Sequence, residues 1–170
     1  MVLQVQQVLA EPGQVERFLD PEDAVAVRGC FAGLHPVGPG RGSEADSAVE
    51  QAVGRPERWV LKPQREGGGN NFYGDALATM LLESEAKDLA DLILMQRIMP
   101  PFQPAWLVRG AAVSQGPSVS ELGVFGTFLA ADDQVLLNCY GGHILRTKLD
   151  GTDEGGVATG YAYLSSPLLL

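Results

Sequence analysis

From residue 106 onward, the chain reads as a succession of apolar strands separated by short turns. We predict strands at 106–114, 118–131, 134–139 and 144–149. Asp132-Asp133 is the expected hairpin turn between two of them. Strands joined by such short connections pair antiparallel, because a parallel pair needs a long crossover. The second half is therefore predicted to be mostly antiparallel sheet.

The first half combines helical patterns with two short strands. Helices are predicted over residues 2–9, 20–33 and 75–89, and strands at 59–61 and 92–95. A further short helix, after a loop that ends at Ser43, is expected to run through Ala48, Val49, Ala52 and Val53. Asp20 is the expected cap of the second helix. The side chains expected to point inward from the last helix are Leu77, Met80, Leu81 and Leu89. Helices and hairpins in this order indicate an α+β fold rather than a doubly wound parallel sheet.

Composition limits the partners and the location of the chain. Its 170 residues fit one domain, and the net charge of -9 argues against nucleic acid as a partner. No apolar run is long enough to span a membrane, and no leader pattern is visible, so we expect a cytoplasmic protein. Cys30 and Cys139 show no metal or redox spacing and are expected to be buried small residues. His35 and His143 are expected to be structural.

The most informative segment runs from Lys62 to Asn71 and reads Lys-Pro-Gln-Arg-Glu-Gly-Gly-Gly-Asn-Asn. Three glycines let successive backbone N–H groups turn toward an anion, and Lys62 adds a positive charge. Glu66 would repel a phosphate unless a cation lay between them, which indicates Mg²⁺. The chain has no Gly-Lys pair, so this is not a P-loop. The alternative is a solvent-exposed Gly/Asn turn.

Read as a whole, this loop resembles the glycine-rich loop of eukaryotic-type glutathione synthetases, which are ATP-grasp ligases. The resemblance extends in order to further segments, namely Val5–Gln7, Cys30–Leu34, Phe72–Gly74, Ile93–Met95, Ser120–Gly123, Leu145–Lys148 and Gly155–Ala158. These segments span nearly the whole chain. The resemblance implies an incomplete ATP-grasp-like fold corresponding to the C-terminal portion of the enzyme. Residues 1–57 would form a mainly helical lead-in, and residues 58–170 the nucleotide-binding sheet and loops.

The resemblance also implies roles for individual residues. The residues implied to contact ATP are Lys62, Glu66, Gly67, Gly68, Gly69, Asn70, Asn71, Tyr73, Met95, Gln96, Arg97, Ile98, Glu121, Lys148 and Glu154. Glu66 is also the implied Mg²⁺ ligand. Arg146 is implied to grip a substrate carboxylate during catalysis. Val157 and Ala158 are implied to touch the peptide substrate, in a glycine-rich loop from Gly151 to Gly160 that acts as a lid.

Three charged residues in the second half can also be interpreted from the strand pattern, without the resemblance. Arg146 and Lys148 are two positions apart in a strand, so both should leave the same face toward negative charge. The alternative is a pair of exposed cations partnered by Asp150 or Asp153. Glu121 is expected to face away from apolar neighbours Val119 and Leu122, with an ordinary solvated carboxylate as its alternative.

Two positions and one short segment depart from the family pattern. Gln4 stands where the family has a nucleotide-binding lysine, and Glu154 where it usually has Asp. Met95-Gln96-Arg97-Ile98 lacks the family's acidic-basic pair, which contacts through the backbone would tolerate. The Gln4 change removes one positive charge near the phosphates.

The activity that the resemblance implies is the ATP- and Mg²⁺-dependent joining of γ-glutamylcysteine and glycine through an acyl phosphate. A homodimer is one state that the resemblance allows. Two alternatives stay open, a non-catalytic binding or interaction module derived from the enzyme and an ATP-grasp ligase for another carboxylate.

Overall fold

A computed structural model describes residues 3–64 and 70–167 of the chain. The chain divides into two compact units, Met1–Met99 and Pro100–Leu170, which are described separately below. The described residues of the first unit form four helices, α1 Leu3–Ala10, α2 Pro21–Arg28, α3 Ser43–Gly54 and α4 Gly74–Glu83. Short 3-10 turns lie at Val15–Arg17 and Pro56–Arg58. None of the helices in the described residues is long and apolar enough to cross a membrane.

A three-stranded antiparallel sheet lies at the centre of the first unit. Its strands are β1 Leu34–Pro36, β2 Trp59–Pro63 and β3 Leu92–Gln96, in the order β1-β3-β2. One face of this sheet packs on α3 and α4. The buried residues of this core are Val37, Ala48, Ala52, Trp59, Leu61, Leu77, Leu81, Leu89 and Leu94.

Arg28 ties the first two helices together. Its guanidinium donates to the backbone oxygens of Ala10, at 3.0 Å, and Glu11, at 2.8 Å. These two carbonyls lie at the end of α1, where a helix has no intrahelical donors to satisfy them. Arg28 also binds the Glu16 carboxylate through two N–H groups, at 2.5 and 2.6 Å. The guanidinium therefore lowers the pKa of Glu16 from 4.5 to about 2.

The second unit is a four-stranded antiparallel sheet. Its strands are β4 Gln103–Arg109, β5 Ala112–Ala131, β6 Gln134–Leu149 and β7 Tyr163–Ser165, paired in chain order. The predicted hairpin turn at Asp132-Asp133 is confirmed, and Asp132 adopts a positive φ of 51° there. Helices in one unit and antiparallel sheet in both confirm the α+β class.

The predicted helix ends were wrong in two places. The second helix ends at Arg28 and not near Gly33, because the next residues lead into β1, which pairs with β3. The last helix ends at Glu83, since Ser84 takes an extended conformation with ψ 146°. Leu89 lies in the turns that follow α4 and is buried in the core. Because its apolar side chain continues the helical pattern, the predicted helix was longer than the observed one. Asp20 precedes α2 as predicted, but its side chain makes no capping hydrogen bond.

The predicted strand ends in the second unit were also wrong in two places. The stretch 106–114 is divided by a two-residue turn in which Gly110 has a φ of 60°. Residues 134–149 form one strand, because the glycines at 141 and 142 accompany a register shift that bends the strand without ending it. Cys30 and Cys139 are both exposed, so their predicted burial was wrong.

The Glu16–Arg28 pair predicts a specific acid sensitivity. Because the pKa of Glu16 falls from 4.5 to about 2 on folding, its ionised form stabilises the fold above about pH 4.5. This contribution is lost as the pH falls toward 2. We expect the melting temperature of Glu16→Gln to lie below that of the wild type at pH 6, and the difference to disappear near pH 2.

Thermal unfolding followed by circular dichroism across this range measures the effect. Glu50→Gln, which changes an exposed carboxylate of α3, is the control and should leave the wild-type profile unchanged. A difference between Glu16→Gln and the wild type that stays constant from pH 6 to pH 2 would contradict this interpretation.

Candidate functional site

The first unit presents Lys62 on the sheet face opposite its core. Side chains alternate along a strand, so the burial of Trp59 and Leu61 in the core directs Lys62 to the other face. In the register of β2 with β3, Lys62 lies opposite Ile93, and Val60 lies opposite Met95. Met95 therefore shares a face with Lys62.

The segment after the glycine-rich loop returns alongside β2. Phe72 exchanges two backbone hydrogen bonds with Leu61, at 2.9 and 3.0 Å, and packs against the core. The residues on either side of Phe72 consequently face the same way as Lys62. Asn71 and Tyr73 are in contact on this face, with Asn71 Nδ2 donating to Tyr73 Oη at 3.4 Å.

Arg97 joins this group from the end of β3. Its guanidinium carbon lies 5.6 Å from the centre of the Tyr73 ring, a cation–π contact. The predicted nucleotide contacts Lys62, Asn71, Tyr73, Met95 and Arg97 therefore lie on one side of the first unit. Gln96 pairs with Trp59 and so takes the opposite face. Glu66, Gly67, Gly68 and Gly69, predicted to contact phosphate, lie outside the described residues. Asn70, at the end of the loop, is exposed.

Two backbone N–H groups at the end of β3 already donate hydrogen bonds within the protein. The N–H of Gln96 donates to the Gly33 oxygen at 2.9 Å, and the N–H of Arg97 donates to the Arg58 oxygen at 2.8 Å. Two of the backbone donors in the predicted adenine-binding segment are thus used within the protein. A base lying along this segment would need the remaining groups, such as those of Ile98.

A cavity of about 460 Å³ opens beside this segment. Its size is in the range of small-molecule sites. The residues that line it are Gly29, Cys30, Phe31, Ala32, Arg58, Gln96, Arg97, Ile98 and Met99. Arg58 and Arg97 give it positive charge. No role was predicted for residues 29–32, although the family-like segment Cys30–Leu34 was the signal available in the sequence.

A larger cavity, of about 720 Å³, lies next to the ends of the glycine-rich loop. Asn70, Asn71 and two carboxylates, Asp88 and Asp91, contribute to its lining. Those carboxylates disfavour a phosphate, because like charges repel at short range. Of the two cavities, the smaller one between the arginines suits an anionic nucleotide better.

Gln4 contacts Gln64, the last described residue before the glycine-rich segment. Its backbone N–H donates to the side-chain oxygen of Gln64 at 3.2 Å, directly after β2. The position where the family has a lysine is therefore next to Gln64, two residues after Lys62 in the sequence. A glutamine there leaves this corner of the unit with one positive charge fewer.

In the second unit, Arg146 and Lys148 meet the same carboxylate. Arg146 pairs with Glu121 across β5 and β6, and its Nη2 donates to Glu121 Oε2 at 2.7 Å. Lys148 Nζ lies 4.0 Å from the other oxygen of Glu121. The predicted common face of the two cations is thus confirmed. Their shared carboxylate is Glu121, which was not among the expected partners.

One expectation about this sheet was wrong. Glu121 was predicted to face away from both Val119 and Leu122, but Val119 and Leu122 are three positions apart and lie on opposite faces. Val119 is buried and shares the face of Glu121, whereas Leu122 is exposed. Lys148 contacts Asp153 through the backbone oxygen, at 2.9 Å.

The loop from Gly151 to Gly160 lies against this charged cluster. A β-carbon added at Gly155 would lie 3.4 Å from Glu121 Oε1, so the loop backbone passes close to the carboxylate. Glu154 and Val157 are half-buried, and Ala158 is exposed. Arg109, which was not among the predicted site residues, contacts the end of this loop.

The described residues offer no ready-made metal centre. Within residues 3–64 and 70–167, no three His, Cys, Asp or Glu side chains are grouped closely enough to hold a metal ion. The predicted Mg²⁺ ligand Glu66 lies outside these ranges. Mg²⁺ commonly keeps several waters and binds one or two carboxylates together with substrate phosphates, so a single carboxylate is compatible with it.

The comparisons with known proteins agree with the motifs. Residues 2–169 match the family model for the eukaryotic glutathione synthase ATP-binding domain. The chain is 44% identical over 171 residues to the chloroplastic glutathione synthetase of Arabidopsis thaliana, covering 98% of this chain and 30% of that protein. It is 41% identical over 167 residues to glutathione synthetase of Homo sapiens, with coverages of 96% and 35%.

A solved structure shows the same fold. This is the apo form of a glutathione synthetase-like effector from Globodera pallida, with a TM-score of 0.70 and 22% sequence identity. The match covers 99% of this chain and 34% of that chain. The chain therefore spans about a third of the length of the proteins it matches, and its correspondence to their C-terminal portion stays a prediction.

Because the family model matches from residue 2 to residue 169, the chain belongs to the eukaryotic glutathione synthase ATP-binding domain family.

Proposed function

We propose that this chain forms the ATP-binding portion of a glutathione synthetase, which joins γ-glutamylcysteine and glycine at the expense of ATP. The main support is the common face of Lys62, Asn71, Tyr73 and Met95 in the first unit, with Arg97 in cation–π contact with Tyr73. These residues come from separate parts of the sequence, and each is an implied nucleotide contact. A structural role alone would not require a lysine, an asparagine and a tyrosine on the same face.

On this proposal, the adenine lies beside Gln96–Ile98 and the phosphates extend toward Lys62 and the glycine-rich loop. The arginines that line the 460 Å³ cavity would attract the charged nucleotide. Mg²⁺, held by phosphate oxygens, water and Glu66, would neutralise charge on the transferring phosphoryl group. Lys62 would hold the phosphates in position by charge-assisted hydrogen bonds.

The second unit would hold the peptide substrate. Arg146 has five N–H donors, and the bond to Glu121 uses one of them, so its planar fork keeps donors for a substrate carboxylate. Val157 and Ala158 would contact the peptide from the loop. Lys148, held between Glu121 and Asp153, would face the nucleotide together with Glu154 and Glu121.

The proposed reaction has two steps. A carboxylate oxygen of γ-glutamylcysteine attacks the γ-phosphorus of ATP and ADP leaves, which gives an acyl phosphate. The amine of glycine then attacks the acyl carbon, and inorganic phosphate leaves as the amide forms. The residues named above bind and orient the reactants and offset charge, and none of them forms a covalent intermediate.

The length of the chain limits the activity that we propose for it in isolation. It spans about a third of its relatives, so we propose that it retains the nucleotide site, while ligation needs the remaining length of the enzyme. Cytoplasmic location and a homodimer are part of the same proposal. The chloroplastic plant relative makes an organelle the other location to test.

Nucleotide binding is the first test. We expect the purified, folded chain to bind Mg·ATP saturably in titration calorimetry. Lys62→Ala removes a charged hydrogen bond worth about 1.5–3 kcal/mol, so the affinity should fall by roughly tenfold or more. Lys87→Ala, which removes an exposed lysine paired with Glu85, is the control and should bind as the wild type does. A folded wild-type chain that binds no Mg·ATP would rule out the proposed site.

The metal assignment has its own test. Glu66→Gln keeps the size of the side chain but removes the charge, and we expect it to raise the Mg²⁺ concentration needed for ATP binding. Glu22→Gln, at the start of α2, is the matched control and should leave that concentration unchanged. Titrations of ATP at several Mg²⁺ concentrations measure this. Equal effects of the two variants would remove Glu66 as the ligand.

A second candidate function, an interaction module, has an observation in its favour. The outer half of the β5–β6 hairpin exposes many large apolar side chains. These include Leu122, Val124, Phe125, Phe128, Leu129, Val135, Leu136 and Tyr140. Exposed apolar surface of this extent is typical of an interface. Because the relatives are about three times longer, we propose the remaining portion of a glutathione synthetase as the partner that covers it.

Self-association tests this surface. Without its partner, the chain should associate at high concentration in analytical ultracentrifugation, and Phe128→Ser should reduce the association. Phe18→Ser is the control, since Phe18 is 71% exposed and Phe128 is 65% exposed, but only Phe128 lies on the hairpin. A chain that stays monomeric at all concentrations, or equal effects of the two variants, would contradict the proposed interface.

A further inference from the structure

Arg109 connects the two edges of the second sheet. It lies at the end of β4, the first strand of the sheet, whereas its contacts lie at the start of β7, the last strand. Nη1 donates to the backbone oxygen of Gly160 at 2.7 Å, and Nη2 donates to that of Ala162 at 3.1 Å. The guanidinium carbon also lies 4.3 Å from the centre of the Tyr163 ring. One side chain thus fixes three nearly consecutive residues.

These residues lie at the end of the loop from Gly151 to Gly160 and directly after it. Tyr161 and Ala162 both donate their N–H groups to the oxygen of Gly156, at 2.9 and 3.1 Å. Thr159 Oγ1 donates to the same oxygen at 3.1 Å. The turn that carries Val157 and Ala158 is therefore closed on one carbonyl. Its position depends on where the stretch after Gly160 is held.

The first part of this loop lies against the charged cluster formed by Glu121, Arg146 and Lys148. Lys148 Nζ donates to the Asp153 oxygen at 2.9 Å, and Gly155 lies next to the Glu121 carboxylate. After Ala162 the chain enters β7, which pairs Leu164 with Arg146 and Tyr163 with Thr147. The loop therefore passes beside the Glu121–Arg146 pair at Gly155. A cationic side chain binds its backbone on each side of this point, Lys148 at Asp153 and Arg109 at Gly160.

We propose that Arg109 is a positioning residue for this loop. By binding Gly160 and Ala162, it holds the closed turn in place so that Val157 and Ala158 lie beside Arg146. This inference rests on the proposed function for the identity of the ligand, the dipeptide, but not for the order of the loop. Arg109 acts through the backbone of the loop and contacts no reacting atom.

The chemistry of this contact requires an arginine. Two carbonyls in different directions and one ring face are bound at once, which matches a planar fork that donates from two nitrogens and stacks through its plane. Lysine keeps the charge but offers a single nitrogen. Arg109→Lys should therefore restore only part of what Arg109→Ala removes.

Hydrogen exchange measured by mass spectrometry tests the order of the loop directly. In Arg109→Ala, the amides of Tyr161 and Ala162 should exchange about tenfold faster or more, as expected when hydrogen bonds of about 1.4 kcal/mol or more are lost. Arg109→Lys should lie between this variant and the wild type. Lys87→Ala, in the first unit, is the charge-matched control and should exchange as the wild type does. Amides of the inner β5–β6 ladder should keep their protection in all four proteins.

Calorimetry with the two ligands separates positioning from general stability. Arg109→Ala should weaken γ-glutamylcysteine binding more than Mg·ATP binding, because Val157 and Ala158 lie in the turn that Arg109 holds. Unchanged exchange at Tyr161 and Ala162 in Arg109→Ala, or equal loss of protection throughout the sheet, would overturn the proposal. A wild-type chain that binds neither ligand would instead count against the proposed function, and the exchange rates would still decide the role of Arg109.

Discussion

The pairing of β2 with β3 determines what the first unit can bind. Leu61 and Leu94 lie opposite each other, both fully buried against α3 and α4. A shift of one residue in β2 would turn Leu61 toward the outer face and carry Lys62 into the core, where an unpaired ammonium is costly. The apolar core thus fixes which face receives the charge. Nucleotide binding, on the proposed function, depends on a register that packing sets.

Register has the same importance in the second unit, but the sequence did not reveal it. Counted directly from the Asp132-Asp133 turn, the residue opposite Glu121 would be Ile144. Two one-residue shifts along the hairpin, near Phe125 and near Leu129, bring Arg146 there instead. Both shifts lie outside residues 146–148, so the prediction that Arg146 and Lys148 share a face was confirmed. Their shared carboxylate was missed because it depends on the register with β5. Bulges arise from pairing between strands, which local sequence patterns do not contain.

The same distinction explains the rest of the comparison between sequence and structure. Features set by local residues were predicted, including the turn at Asp132-Asp133, the start of α2 at Pro21 and the buried strand around Leu61. Features set by distant contacts were not. β1 was missed because its three residues are a strand only through pairing with β3, about 60 positions later. Arg109 carried no local signal either, because its acceptors lie more than 50 positions away.

The charge balance of the Glu121 cluster gives a physical reason for its composition. Arg146 and Lys148 leave the same face of β6, and two cations held that close repel each other unless an anion lies between them. Glu121 supplies that anion, and the three side chains together carry one net positive charge. One further carboxylate would make the cluster neutral. Before a ligand binds, Glu121 therefore holds the two cations together, and the net positive charge of these three side chains favours the carboxylate that the proposed peptide substrate would bring.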